Sequence, residues 1–436
     1  MHCSLHYTLN VVYFCMTALF CSALSAEPQT TIPETLTLEF ALKQVDGAHP
    51  DLERARAVLD LATAEQQQAD SLTGTRVSIE SRLRYIEPNN SSRDQSNDDN
   101  SVGIFVEKDL YDFGRSAAAE RAASSLIEGG KLGLIDVANQ RRIEIMEKYF
   151  ATLLSDLEYL RDNEDVAITF IRFENTQRQR ALGRVSDVEV LNRQNIFLQA
   201  RVRRASTEVR QRSNRAQLAI AMGFPGQLSA ELKAPTTLLP AKLVDVELLQ
   251  AEAVKNNISL LVLRAQRDAA IANVEFAKAG DNAVITGEAQ ATENSRQVGS
   301  RDDLRIGLQL RIPLFSGGAT RARVSKQRAE LRRINADYSK QQTLIEQSVL
   351  DVWLQLNNQK IQRQQAQAQL EHSELLLDQS RALYELEAQS NFGEALVQIS
   401  EAQRQVAETE YQNLLLWARL DALLGKVVGV QAKGEQ

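Results

Sequence analysis

The chain has no cysteine beyond residue 21; Cys3, Cys15 and Cys21 all lie near its start. If that leader is removed, disulfides, zinc–thiolate sites and thiol catalysis are excluded. Histidine is scarce too, with only His49 and His372 past residue 26. One adjoins Pro50 at a helix turn and the other sits in a glutamine-rich helix face, places that suit a structural or solvated role better than catalysis. There is no phosphate-cradling glycine loop, nucleophile elbow or His-Glu metal pair. The sequence therefore offers no enzyme and calls for no metal or cofactor. Past the leader no run approaches the ~18 apolar residues of a transmembrane helix. The net charge of −7 is modest and mixed, which argues against nucleic acid as a ligand.

The leader itself, residues 1–26, has an apolar run from Leu9 to Leu24 that ends in Ser22-Ala23-Leu24-Ser25-Ala26 before Glu27 and Pro28. This is the layout of a secretory signal peptide cleaved near Ala26, although His2 and His6 stand where Lys or Arg is usual. Ala18-Leu19-Phe20 makes a poor lipobox before Cys21, so lipidation is not expected. Export and the absence of later cysteines together point to a cell-envelope protein.

What is present is a sequence written twice. Leu110-Tyr111-Asp112-Phe113-Gly114 recurs as Leu314-Phe315-Ser316-Gly317-Gly318, each after an alternating apolar run and before a long helical stretch. Tyr149 falls where Trp353 falls, and Glu39…His49-Pro50-Asp51-Leu52 lines up with Glu247…Asn257-Ile258-Ser259-Leu260. The expected organisation is a first repeat over 27–226 with a β-hairpin about 76–111, and a linker over 227–243. A second repeat follows over 244–425, with a hairpin about 282–313, and then a tail over 426–436. Each repeat reads as helix, hairpin, long helix, helix.

Gly and Pro are missing from Ala319 to Phe392, and a helix over most of that span is about 100 Å long at ~1.5 Å per residue. Val324, Leu331, Tyr338, Ile345 and Val352 are spaced by seven; Val349, Leu356, Leu370, Leu377 and Tyr384 make a second such row broken at Arg363. That is coiled-coil periodicity, and the Gln355–Gln369 stretch is its solvated face. The first-copy counterpart contains Gly129, Gly130 and Gly133, where a bend or loosening is expected. From Gln403 to Gly425 the second copy is about one heptad shorter than Gln194 to Gly223, so the repeats are expected to differ there.

The strand signature is different. Leu304, Ile306, Leu308, Leu310 and Ile312 alternate with Arg305, Gly307, Gln309 and Arg311. Val102, Ile104, Val106 and Leu110 do the same, with Lys108 as the exception. Val77, Ile79, Leu83 and Tyr85 form one partner run, and Ala283–Ala291 is a weaker partner for the other. Runs of about nine to eleven residues suit tilted strands crossing a bilayer, and Tyr111, Phe113, Pro313 and Phe315 stand where a membrane-interface junction would be. Four strands cannot close a barrel, and open edges are not tolerated in hydrocarbon. Several chains must then share one barrel, and three would supply twelve strands. A periplasmic coiled-coil scaffold or adaptor without a pore is the alternative; it leaves the two hairpins unexplained.

At the far ends of the long helices, Leu182-Gly183-Arg184-Val185-Ser186-Asp187 and Asn391-Phe392-Gly393-Glu394 each offer a glycine to reverse the chain, with Ser186 and Asp187 as cap candidates in the first copy. The order and twofold recurrence of these phrases resemble the TolC-like outer membrane efflux proteins over essentially the whole mature chain. The resemblance implies a mainly α fold with a small β part, in which long antiparallel coiled-coil helices form a periplasmic α-barrel. It implies a homotrimer with a twelve-stranded barrel in the outer membrane, a passive duct for an efflux or type I secretion system. It further implies an inner-membrane pump and a periplasmic adaptor docking at Leu182, Gly183, Arg184, Phe392, Gly393 and Glu394. An entrance constriction would map to Glu394, Gln398 and Glu401, with Gln398 where a carboxylate is common. Neither the residues nor the resemblance identifies the cargo.

Overall fold

The computed structural model describes residues 33–47, 49–92, 94–226, 231–235, 243–296, 302–386 and 391–429. The expected signal peptide lies outside these, as do most of the 227–243 linker and most of the tail. The first copy runs through β1 (Thr35–Leu36), α1 (Leu38–Lys43), α2 (Pro50–Asp70), β2 (Thr75–Arg82), β3 (Ser101–Tyr111), α3 (Arg115–Ala181) and α4 (Asp187–Ala221). After β4 (Glu231–Leu232) the second copy follows as α5 (Val246–Asn256), α6 (Ile258–Lys278), β5 (Val284–Asn294), β6 (Leu304–Arg311), α7 (Ala319–Glu385) and α8 (Phe392–Leu423). The duplication is real in three dimensions: α3 and α7 are both 67 residues, and α2 and α6 both 21. At about 1.5 Å per residue each long helix spans about 100 Å.

Equivalent residues do equivalent work. His49 and Asn257 cap α2 and α6, accepting from the amides of Asp51 and Leu260. Tyr149, wholly buried in α3, donates its hydroxyl to the carbonyls of Leu36 at 2.9 Å and Lys233 at 2.6 Å. Trp353, at the same place in α7, donates Nε1 to the carbonyl of Val244 at 3.0 Å. Each ring thus pins the segment entering its own repeat to the middle of the long helix. Around them lie two apolar clusters. One joins Leu36, Leu52, Ile145, Phe150, Leu218 and Tyr411; the other joins Leu249, Leu260, Ile345, Val349, Leu356 and Leu420. Phe150 and Tyr411 stack at 4.9 Å.

The three glycines in α3 do not interrupt it. Gly130 lies under Leu59 of α2 and Gly129 against Ala265 of α6; an added Cβ would meet them at 3.2 and 3.4 Å. They are close-approach points where two helices flank α3, and the backbone hydrogen bonds continue through them. The heptad rows of α7 hold at Ile345, Val349, Val352 and Leu356, which are buried. From Gln359 onward the buried row is Gln359, Ala366, Ser373 and Ser380. Gln359 donates to Gln412 of α8 at 2.8 Å, so the break at Arg363 marks a change of seam rather than a loss of packing. α4 and α8 are 35 and 32 residues long. The difference is smaller than a heptad because α8 already begins at Phe392, where the first copy is still in its turn.

The hairpins join into one sheet of order β2-β3-β5-β6, antiparallel throughout. β2 and β6 are its edges.

Candidate functional site

Strand register sorts the side chains cleanly. Val77, Val106, Ala289 and Ile306 stand opposite one another across the four strands, as do Ile79, Ile104, Ala291 and Leu304. Ser78, Phe105, Gln290 and Arg305 form the row between them, on the other face, and Arg76, Glu107, Glu288 and Gly307 the next row on that face. The apolar face lies open: Ile79 is 72% exposed and Ile306 76%. Among the described residues no helix covers it. A soluble sheet would bury that face on its own core, so its chemistry fits hydrocarbon outside and water within. Among the described residues no helix is long and apolar enough to cross a membrane.

A bulge refines the edge of this face. Asp109 pairs with Thr286 and Tyr111 with Ile285, which leaves Leu110 as an extra residue. Strict alternation would turn Tyr111 to the polar side; the bulge brings it to the apolar side with Ile285. Tyr111 meets Phe113 edge-on at 4.7 Å, and both are half-exposed. Phe315, Pro313 and Leu314 are exposed at the matching height of the second copy.

The strand-to-helix junctions explain the recurring phrase. Phe113 and Gly114 have φ of 52 and 92°, and Gly317 and Gly318 have φ of 63 and 86°. Two successive left-handed residues swing each strand into its long helix, a conformation glycine adopts without strain. Phe113 bears the cost in the first copy. There Asp112 accepts from the amides of Gly114 at 3.2 Å and Ser116 at 2.7 Å, and Asn282 donates to the Phe113 carbonyl at 2.9 Å.

The two turns at the opposite end differ from expectation in one respect. Gly183, with φ of 71°, does reverse the chain after α3, and its neighbour Leu182 is exposed. Ser186 then caps α4 by accepting from Glu189 at 3.3 Å, and Asp187 pairs with Arg180. Gly393 reverses nothing. It lies in the first turn of α8, where an added Cβ would meet Ile168 of α3 at 2.8 Å. Its role is close helix contact. Residues 387–390, which precede it, lie outside the described residues. Phe392 stacks on Tyr384 at 5.7 Å, and Glu394 pairs with Arg172 of α3.

Glu394, Gln398 and Glu401 follow one stripe of α8. Glu401 is enclosed by arginines: Arg161 of α3 donates to it at 2.5 Å and Arg404 at 2.7 and 3.0 Å. Burial alone would push its carboxyl up, but the hydrogen bonds from Arg404 and Arg161 hold it down at about 2. Arg161 also grips Asp162 at 2.7 Å, and Asp162 accepts from Thr207 of α4 at 2.6 Å. Three helices are thereby clamped at one level. Sequence reasoning missed these partners because Arg161 and Asp162 lie far away in the chain. Above and below, acids on α3 face arginines on α4: Asp156 with Arg215, Glu158 with Arg210, Asp165 with Arg203. Among the described residues the Gln398 side chain has no hydrogen-bond partner, and no cluster of His, Cys, Asp and Glu suits a metal ion.

Residues 249–426 match the family model described as outer membrane efflux protein. The match spans nearly all of the second repeat. The chain's fold resembles those of solved outer membrane proteins over 89 to 90% of its length. It is similar to the outer membrane protein VceC from Vibrio cholerae, with a TM-score of 0.71 and 16% identity over 89% of this chain and 96% of that one. It is also similar to the outer membrane channel CmeC from Campylobacter jejuni, with a TM-score of 0.75 and 11% identity over 90% and 86%. A curated relative, protein CyaE of Bordetella pertussis, is 28% identical over 244 residues, 54% of this chain and 51% of that protein. The chain thus spans about half the length of the curated relative it matches.

Proposed function

We propose that this chain is the exit duct of a tripartite efflux or type I secretion system, seated in the outer membrane and reaching into the periplasm. One observation carries the reading: a bilayer-high apolar sheet face, open to solvent, on a sheet whose two edges are both unpaired. Open edges in hydrocarbon leave backbone groups unsatisfied. Pairing β6 of one copy with β2 of the next removes them, and all neighbours stay antiparallel. Three copies give a twelve-stranded barrel, continued by the long helices as a periplasmic tunnel. Tyr111, Phe113, Pro313 and Phe315 would mark the periplasmic membrane interface, in keeping with aromatic girdles of other barrels.

Such a duct is passive, and no catalytic constellation is needed. Its helical tips, Leu182-Gly183-Arg184 and Phe392-Gly393-Glu394, dock a periplasmic adaptor that joins it to an inner-membrane pump. Glu394, Gln398 and Glu401 line the entrance. Of these, Glu401 is already neutralised within its own chain, so the entrance carries less negative charge than its carboxylates imply. The test is membrane fractionation followed by mass determination in mild detergent. A three-chain particle from the outer membrane supports the duct; a monomer in the soluble periplasm sinks it.

A further inference from the structure

The two copies fold alike but are charged differently where their helices meet the sheet. In the first, Asp70 ends α2, and one exposed flank of α3 carries Ala117, Ser124 and Glu128. At the equivalent places the second copy has Lys278 at the end of α6 and Arg321, Arg328 and Arg332 along α7, all exposed. Nearby acids are engaged within the chain: Glu275 by Arg121 at 2.5 Å, Asp268 by Arg267 at 3.7 Å, Glu330 by Arg333 at 2.5 Å and Asp281 by Thr320 at 2.7 Å. Lys278 and the three arginines are left without a carboxylate partner among the described residues.

Backbone hydrogen bonds fix the direction this flank faces. Thr292 of β5, on the polar face, donates its amide to the carbonyl of Asp303, just before β6, at 2.9 Å. For L-residues this sets β6 to the left of β5 when the sheet is seen from its apolar side with the strand-connecting loops up. α7 therefore descends to the left of α6. It packs there through the row of Leu331 and Tyr338, whose hydroxyl accepts from Arg264 of α6 at 3.3 Å. A right-handed helix turns by about 100° per residue, so Arg321, Arg328 and Arg332 stand a quarter-turn onward from that row, on the apolar side of the sheet. Leu314 and Phe315, 94 and 83% exposed, mark the level where hydrocarbon-facing strand gives way to this flank.

We infer that Lys278, Arg321 and Arg328 form a binding surface for the headgroups of anionic phospholipids in the periplasmic leaflet. Helical side chains lean toward the N-terminus, which in α7 is the membrane end. Arg328 is about 10 Å below Arg321, about one Debye length, and Arg332 lies deeper still. Guanidinium groups bind phosphate oxygens in pairs, and basic residues just outside a bilayer are drawn to anionic lipid. The contact belongs to the second copy alone, because the first has Asp70 and Glu128 at two of the same places. It rests on the duct reading.

The test is native mass spectrometry of the full-length trimer in mild detergent with added phosphatidylglycerol or, as the neutral probe, phosphatidylcholine. Phosphatidylglycerol is expected to be retained preferentially, with retention weaker by about three-fold in R321Q or R328Q and roughly twenty-fold in K278Q/R321Q/R328Q. K326Q/R333Q, which removes two charges from another flank of α7, should change nothing. The single variants carry the test if the triple variant does not assemble. Equal retention of both lipids, or undiminished phosphatidylglycerol retention in the variants, overturns the surface while the trimer stands. Displacement of the lipid by inorganic phosphate overturns it in favour of a small-anion site. A natural protein that is never trimeric takes duct and surface together.

Discussion

Arg161 and Glu401 lie 240 residues apart in the chain and meet at 2.5 Å, tying the first copy's long helix to the last helix of the second. Glu401→Gln removes the charge that Arg161 and Arg404 share. The expected loss is about 1–2 kcal/mol, since the group is partly exposed and screened. Hydrogen exchange should quicken in the first half of α8 and in α3 around Arg161, and stay unchanged near Tyr149. Unaltered exchange at both helices would contradict the clamp.

The same carboxyl makes a statement about acid. Its folded value is depressed to about 2, below the ~4.3 of a free glutamate. Its stabilisation is therefore complete above about pH 4.3 and lost as pH falls through 2. Between pH 8 and 5 the natural protein and Glu401→Gln should differ by a constant amount. Their difference should shrink only in strong acid, read as thermal unfolding midpoints.

His49 acts in a higher range. Burial lowers its pKa first and the nearby Arg141 charge second, and its Nδ1 must be unprotonated to accept from the Asp51 amide at 3.2 Å. The cap is complete above about pH 6.5 and is lost as pH falls through the lowered value. His49→Asn installs the residue the second copy uses at Asn257. It should keep the cap, worth roughly 0.5–2 kcal/mol, and flatten the fall of the unfolding midpoint between pH 6.5 and 5. A fall of the same size in both proteins would contradict this.

The strand-to-helix junctions offer a matched pair. Gly317→Ala forces a side chain into the left-handed region at a cost of about 1 kcal/mol. Phe113→Gly relieves the same conformation in the first copy, but gives up the Tyr111 contact. Unfolding midpoints should fall for the first and change little for the second.

Much of the fold was legible because duplication doubles every signal. Leu-Tyr-Asp-Phe-Gly and Leu-Phe-Ser-Gly-Gly each looked weak alone, yet their shared spacing fixed strand, turn and helix twice. The strand faces followed from alternation as far as Asp109; the bulge at Leu110 was invisible because one extra residue leaves no mark in an apolar pattern. Gly129, Gly130 and Gly393 misled for one physical reason. Glycine serves both turns and close helix contacts, and only the neighbouring helix tells which. The Glu401 clamp was hidden because ion pairs between distant segments have no sequence period.

Gly393→Val provides a test at the tip. A side chain there meets Ile168, so α8 must move away from α3, at roughly 1–3 kcal/mol for overpacking. Thermal unfolding of the purified protein should report that loss, and adaptor capture should weaken in parallel. Gly183→Ala, where nothing lies within 4 Å, is strained only by its backbone and should cost about 1 kcal/mol.

Single-channel recording in a planar bilayer tests the central reading most directly. Purified three-chain particles should insert and give discrete, uniform conductance steps, with strands of neighbouring copies sealing a water-filled lumen. Folded particles of the right mass that never conduct, or a mature protein that stays monomeric in water with its sheet face exposed, would contradict it.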